Sequence, residues 1–256
     1  MEVYVSVVMP AYNAEATIVA SIESVLAQTY TDWELIVVDD CSSDSTAALV
    51  EAFAQNDVRI HLRRNHQNKG VAATRNNGIA KASGQWIAFL DSDDLWMPTK
   101  LEKQLCFMQE TDAKISFTST AYIAKDGRMS GYVLRAQAVF TYKDLLRRNI
   151  MSCSSVMVHR DYMTMFPNGF MHEDYATWYE IINKAGQAHG YDEPLLIYRI
   201  REGSKSAGRV RSAKMLRNAY IYMGYGWVFS LILTVRYMLH SVSKRLFISL
   251  GRLRQA

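Results

Sequence analysis

The 256-residue chain holds three cysteines, Cys41, Cys106 and Cys153, too far apart for a CxxC pair or a zinc-ligand pattern. Thiols spaced in this way are expected to stay reduced, as in a cytosolic protein. A charged-then-apolar leader is missing, since strand-forming residues begin at Val3, so no secretion signal is expected. No apolar run approaches the roughly 20 residues that cross a bilayer. The longest, Trp227 to Val235, is interrupted by Ser230 and Thr234 and stops at Arg236. No G-x-G-x-x-G turn follows the first strand, which argues against a dinucleotide-dependent oxidoreductase. His61, His66, His159, His189 and His240 have no partner at metal-ligand spacing. Internal repeats, low-complexity tracts and flexible linkers are absent as well.

What is present is half apolar, at 49% hydrophobic and 21% charged residues, enough to bury a sizeable core. The net charge of +4 hides an asymmetry. From Arg199 onward the chain carries twelve of its 29 Lys/Arg and one of its 25 Asp/Glu, a local +11 against −7 for the rest. A basic tail of this kind meets something anionic.

The first hundred residues alternate strand and helix signals. Val3–Met9, Trp33–Val38, Arg59–Leu62 and Trp86–Leu90 read as strands. Between them, Ala14–Leu26, the stretch from Ser42 through Phe53, and Asn68 through Lys81 read as helices. That order predicts an α/β fold with a mostly parallel, doubly wound sheet and helices on both faces. The second half is less regular. It has a strand over Lys114–Ala124 with a hairpin turn at Asp126-Gly127, short strands at Ser155–Val158 and Leu195–Ile200, and a helix over Tyr175–Lys184. One catalytic domain over 1–208 is expected, with halves 1–110 and 111–208, followed by a basic helical segment over 209–256.

Chemistry concentrates where strands end. Strand Trp86–Leu90 runs straight into Asp91-Ser92-Asp93-Asp94, and three carboxylates cannot share an apolar core. They belong at the carboxyl edge of the sheet, where ligands bind in such folds, facing water or a cation. Met9-Pro10-Ala11-Tyr12-Asn13, Asp39-Asp40 and Asn68-Lys69-Gly70 with Arg75 fall at the same edge. The acids propose a divalent metal, and with it a phosphate-bearing substrate.

S-V-V-M-P-A-Y-N, V-V-D-D-C-S-S-D-S-T, N-K-G-V-A-A-T-R-N-N-G and W-I-A-F-L-D-S-D-D, in that order, resemble the motifs of family 2 glycosyltransferases. H-E-D-Y-A-T-W resembles that family's Glu-Asp motif, and Y-R-I-R-E-G-S its later loop. The subgroup most resembled is the bacterial transferases of capsule, O-antigen and teichuronic acid. The resemblance implies a GT-A fold and inverting transfer of a hexose or N-acetylhexosamine from a UDP-sugar to a saccharide or lipid-linked saccharide acceptor. It implies Mg²⁺ or Mn²⁺ on Asp93, and a nucleotide-sugar site of Pro10, Tyr12, Asp40, Arg75, Asp91 and Ser92. Asp174 would be the base that takes the acceptor proton; Glu173 and His172 are alternatives. Asp94 is either an outer carboxylate or a cap for the helix after Pro98. Trp178 would stack on an acceptor sugar or pack in the core. Arg201, Ser204 and Lys205 would close over the diphosphate, although the family's usual histidine is replaced here by Arg201.

Basic and apolar residues mix from Met215 to Arg254, which suits either the surface of an anionic membrane, with the protein on the cytoplasmic face of the inner membrane, or packing on the catalytic domain or a second subunit. No nucleic-acid-binding module accompanies the tail. Other readings are a sugar-phosphate nucleotidyltransferase, whose glycine-rich triphosphate loop is missing, and a non-catalytic membrane-associated scaffold on a degenerate transferase domain.

Overall fold

The computed structural model describes residues 4–123, 127–200 and 208–239. Strands β1 (Val5–Ala11) and β2 (Trp33–Asp39) are buried along their whole length. Continuous burial of this kind requires helices on both faces, and the sheet has them. On one side α1 (Ile18–Leu26) and α4 (Lys100–Glu110) pack through Ile18, Ile22, Val25, Leu101 and Leu105. On the other, α3 (Val71–Ile79) and α6 (Glu173–Ala185) press Ile79, Tyr175, Trp178 and Ile182 against Val8, Phe89 and Phe117. α3 lies so close to β1 that a Cβ on Gly78 would meet Val8 Cγ1 at 2.5 Å, so only glycine fits there.

With α2 (Thr46–Asn56), β3 (Ile60–Arg64) and β4 (Trp86–Phe89), the first half forms a parallel sheet in the order β3-β2-β1-β4. This is the doubly wound arrangement the sequence predicts. Its carboxyl edge gathers Tyr12, Asp39-Asp40 and Asp91–Asp94 in one crevice.

Beyond β4 the sheet becomes mixed. β9 (Val156–His159) runs antiparallel between β4 and β6 (Ile115–Ile123), and β10 (Ala188–Arg199) runs parallel to β6. β7 (Met129–Leu134) pairs antiparallel with β6, as a hairpin requires; Asp126 of the expected turn lies outside the described residues. β8 (Val139–Phe140) and β5 (Leu95–Trp96) add short antiparallel pairs to β10. β10 starts seven residues before the expected Leu195. Pro194 disguises it in sequence, and register shifts on either side of Pro194 absorb its missing N–H.

Helix α5 (Tyr142–Arg147) carries a capping box between Thr141 and Asp144 and leads toward α6. The described part of the basic tail packs on α6. Helix α7 (Arg209–Tyr222) contributes Leu216, Ala219 and Tyr220 to the core, and Tyr220 meets the Tyr175 hydroxyl at 3.1 Å. Residues 227–239 are also helical, with an inverted face pattern. Ser230, Leu233 and Thr234 point inward, while Trp227, Val228, Phe229, Leu231, Ile232, Val235 and Leu239 face outward. Among the described residues no helix is long and apolar enough to cross a membrane.

Candidate active site

Arg75 organises the centre of the crevice. It projects from α3, is 4% exposed, and donates from Nη2 to Asp91 Oδ1 at 2.7 Å and from Nη1 to Glu173 Oε1 at 3.2 Å. Its guanidinium also lies 5.3 Å from the Phe166 ring. Burial alone would favour the neutral form, but Asp91 and Glu173 outweigh it and hold the charge firmly. A buried arginine of this kind, projecting from α3, ties the segment after β4 to the start of α6, its Glu173 partner lying 98 residues further along the chain. Sequence reasoning placed Arg75 beside the nucleotide; the structure engages both terminal nitrogens with carboxylates.

Asp174 follows at the first turn of α6, where helical N–H groups favour a carboxylate. Its Oδ1 accepts its neighbour Tyr175 N–H at 2.8 Å. It is partly exposed. Burial and the adjacent negative Glu173 raise its pKa above the ordinary carboxylate range, with His172 and Arg75 pulling the other way. A carboxylate set in this way is a better proton acceptor than one in water.

The three acids after β4 differ sharply. Asp91 faces Arg75. Asp94 is 1% exposed and accepts Ser154 Oγ–H at 2.6 Å and the Arg199 N–H at 3.1 Å. It does not cap the helix after Pro98; that cap position is Thr99, without a side-chain bond. Burial, then the charges of Asp93 and Asp91, push the Asp94 pKa well up. Three carboxylates are thus brought together at this edge, one of them paired with Arg75. Asp93 and Ser92 stay partly exposed between these anchors. That donor set fits a hard divalent cation, which takes carboxylate oxygen and readily keeps further ligands from water and phosphate. Among the described residues no group of three or more His, Cys, Asp or Glu could cage a metal alone, so a cation here would draw on ligands the protein does not supply.

The loop itself is held by one face of α1 and its flanks. Thr17 Oγ1 donates to Ser92 O at 2.9 Å, and Ser21 Oγ to Asp94 O at 2.8 Å. Ser24 Oγ accepts the Trp96 N–H at 3.2 Å, and Gln28 Nε2 donates to Met97 O at 2.9 Å. Ser154 closes the far side, accepting the Asp91 N–H at 3.0 Å while donating to Asp94.

On the other wall, Asp40 is 3% exposed and accepts Asn65 Nδ2 at 2.7 Å, Lys69 N at 2.9 Å and Gly70 N at 2.8 Å. Gly70 stands at φ +81°, a conformation that favours glycine and aims these N–H groups at the carboxylate. Asp40 thus fixes the turn that leads into α3 and on to Arg75. Beside it opens a cavity of about 360 Å³ lined by Lys69, Gly70, Val71 and Asn168 among others. Pro10 is buried within β1. Tyr12, 52% exposed, stands over the crevice, followed by Asn13 at φ +47°, whose Oδ1 accepts the Ser43 N–H at 2.9 Å.

One expectation is corrected. Trp178 is fully buried, with its ring 5.7 Å from Phe89 and 5.6 Å from Phe166, so it is core and no sugar can reach it. Its place one turn beyond Asp174 puts it on the inner face of α6. Arg201, Ser204 and Lys205 lie outside the described residues. Sequence reasoning missed Ser154 and the polar face of α1. The spacing Thr17, Ser21, Ser24, Gln28 was available, since steps of four, three and four share one helix face.

A family model described as Glycosyl transferase family 2 matches residues 6–166. A putative teichuronic acid biosynthesis glycosyltransferase, TuaG of Bacillus subtilis (strain 168), is 37% identical over 250 residues, covering 94% of this chain and 97% of the relative. A UDP-Glc:alpha-D-GlcNAc-diphosphoundecaprenol beta-1,3-glucosyltransferase, WfgD of Escherichia coli, is 42% identical over 179 residues, 70% of this chain and 69% of its own length. Among solved structures, S. aureus TarS 1–349 in complex with UDP-GlcNAc superposes with a TM-score of 0.72 at 20% identity, covering 92% of this chain and 71% of that one. At that identity the likeness concerns the fold.

Proposed function

The chain belongs to glycosyl transferase family 2, and from that premise we propose that it moves a hexose or N-acetylhexosamine, with inversion, from a UDP-sugar to a polyprenyl-diphosphate-linked saccharide of a bacterial surface polysaccharide. The acceptor class is argued from the relatives: one is named for teichuronic acid biosynthesis, another for transfer of glucose to GlcNAc-diphosphoundecaprenol. The observation that carries the chemistry is the single constellation of Asp91, Asp93, Arg75, Glu173 and Asp174 at the carboxyl edge of the parallel strands.

In this reading Tyr12 covers the nucleoside, and the Asp40 turn shapes its wall. Asp93 holds Mg²⁺ or Mn²⁺, with Asp91 and Ser92 beside the nucleotide sugar. Such a cation, when bound, stabilises charge that develops on a departing diphosphate. Asp174 accepts the proton of the attacking hydroxyl, which frees that oxygen to enter opposite the leaving group. Arg75 lies beside the nucleotide sugar and holds Asp91 and Glu173 at a fixed separation. Because Glu173 is committed to Arg75, Asp174 is the better placed base of the two. Arg201, Ser204 and Lys205 remain the proposed diphosphate lid. The basic tail and the outward apolar face of residues 227–239 support a peripheral position on the cytoplasmic face of the inner membrane.

Asp93→Ala tests the centre. Binding of Mn²⁺, followed by its electron paramagnetic resonance signal with UDP present, is expected to weaken at least tenfold, and transfer from UDP-sugars to vanish. Unchanged Mn²⁺ affinity and turnover would reject the assignment.

A further inference from the structure

At the carboxyl end of β6, Tyr122 is flanked by Tyr132 on β7 and Tyr198 on β10. The ring centroids are 5.6 Å and 5.5 Å apart, tilted at 43° and 57°. Three partly exposed phenols thus form a continuous row across three adjacent strands.

The row adjoins the reaction centre at two points. Pairing of β5 with β10 sets Ile197 against Leu95, so Tyr198 comes opposite Asp94. The next residue, Arg199, donates its N–H to Asp94 and its Nε to Asp93 O at 3.0 Å. In the middle of the row, Tyr122 hydrogen-bonds Ser152. Ser152 precedes the 3-10 turn Cys153–Ser155. Cys153 lies in the field of Arg75, Asp91 and Asp174, and Ser154 bonds Asp91 and Asp94. The far ring, Tyr132, feels the positive charge of exposed Arg148.

We propose that Tyr198, Tyr122 and Tyr132 form the platform on which the acceptor saccharide lies, with its attacking hydroxyl toward Asp174. This rests on the transferase reading above and adds where that substrate sits. A pyranose has an apolar C–H face and a rim of hydroxyls, and a row of phenols offers flat apolar faces edged with donors and acceptors. The row lies in the β6–β7–β10 half of the sheet, on the far side of the acid loop from Tyr12 and Asp40. A ligand on it approaches from the side opposite the nucleotide, as inversion requires. Arg148 stands where an acceptor's own diphosphate would find a cation.

Tyr132 is the ring to change, because it is farthest from the acids and sits on a short hairpin strand. The probes are UDP, a set of UDP-sugars, and monosaccharides joined through diphosphate to a short polyprenyl chain. Tyr132→Ala is expected to raise the acceptor KM about tenfold, the effect of losing one stacked ring. The dissociation constant for UDP, measured by calorimetry, is expected to stay within about twofold of wild type. Tyr132→Phe, which keeps the ring, restores most of the acceptor affinity. An unchanged acceptor KM in Tyr132→Ala, with UDP binding and transfer intact, overturns the platform and leaves the transferase reading standing. Wild-type protein that binds UDP yet transfers to none of these acceptors overturns the platform together with the acceptor class. Failure of wild-type protein to bind UDP overturns the reading beneath both.

Discussion

Glu173 and Asp174 are adjacent carboxylates with opposite surroundings. Glu173 gives its charge to Arg75, whereas Asp174 receives one backbone N–H and stays partly exposed. The helix start explains how both are tolerated, since unsatisfied N–H groups stabilise acids there. Because burial and Glu173 raise the Asp174 pKa, its ionised, proton-accepting form is lost as pH falls through a value above the usual carboxylate range. The acid limb of kcat is therefore expected above pH ~4, the ordinary aspartate midpoint. Asp174→Asn should lower kcat about 10²–10⁴-fold, the contribution of a positioned base, while UDP still binds by calorimetry. The same profile read on Asp174→Glu should keep an acid limb at a shifted midpoint. A wild-type rate flat from pH 4 to 8 would remove Asp174 from the role.

Helix α1 is the element on which the acid loop depends. Its apolar face, Ile18, Ile22 and Val25, fixes it to the sheet, and its polar edge then meets the loop through Thr17, Ser21, Ser24 and Gln28. Ser21 is fully buried, so Ser21→Ala leaves the Asp94 carbonyl without that donor in a dry place. A loss of about 1–2 kcal/mol in urea unfolding is expected. Mn²⁺ affinity should fall with it, because a looser loop holds Asp93 less well; full Mn²⁺ affinity in a destabilised Ser21→Ala would confine α1 to a folding role. The parallel half of the fold was readable in sequence because β1, β2 and β4 are short, largely apolar runs ended by acids or turn residues. The acids were readable for the same reason, since charge cannot continue a buried strand. What escaped were contacts whose partners are distant in sequence and whose residue types are ordinary. Ser154 holds Asp91 and Asp94 across 63 and 60 residues, and nothing local marks it. Arg75 was noticed for its position, but its burial depends on Glu173, 98 residues on. Trp178 illustrates the reverse error: an aromatic near a proposed base looks like a sugar platform until the helix face is known. Strand β10 was shortened because Pro194 and the polar stretch His189–Glu193 mimic a loop.

At the scale of the molecule, the acidic catalytic crevice and the basic tail must be read with the helix over 227–239. A helix bathed in water turns apolar residues inward. Here Leu233 and Tyr237 turn inward together with Ser230 and Thr234, whose hydroxyls are satisfied by Tyr225 O at 3.1 Å and Ser230 O at 2.7 Å, so most of the apolar residues are left on the outer face. Trp227 and Phe229, 60% and 50% exposed, face out with Ile232 and Leu239. Arg236 and the later Lys244, Arg245, Arg252 and Arg254, the last four outside the described residues, add positive charge to the same stretch of chain. Apolar side chains flanked by cations match the boundary of an anionic bilayer, where each nearby cation adds about 1 kcal/mol. That position would bring a lipid-linked acceptor to the crevice. The full-length protein is therefore expected to sediment with phosphatidylglycerol vesicles and to release as ionic strength rises. Trp227→Ser with Phe229→Ser removes two outward rings, of which Phe229 also meets the Tyr225 ring at 5.7 Å, and should weaken sedimentation about tenfold. UDP binding in that double variant is the control for folding. Equal sedimentation of wild type and variant, or equal binding to neutral phosphatidylcholine, would detach this face from the membrane. A drop in oligomer size in the same variant, with vesicle binding unchanged, would assign the face to a second copy of the chain.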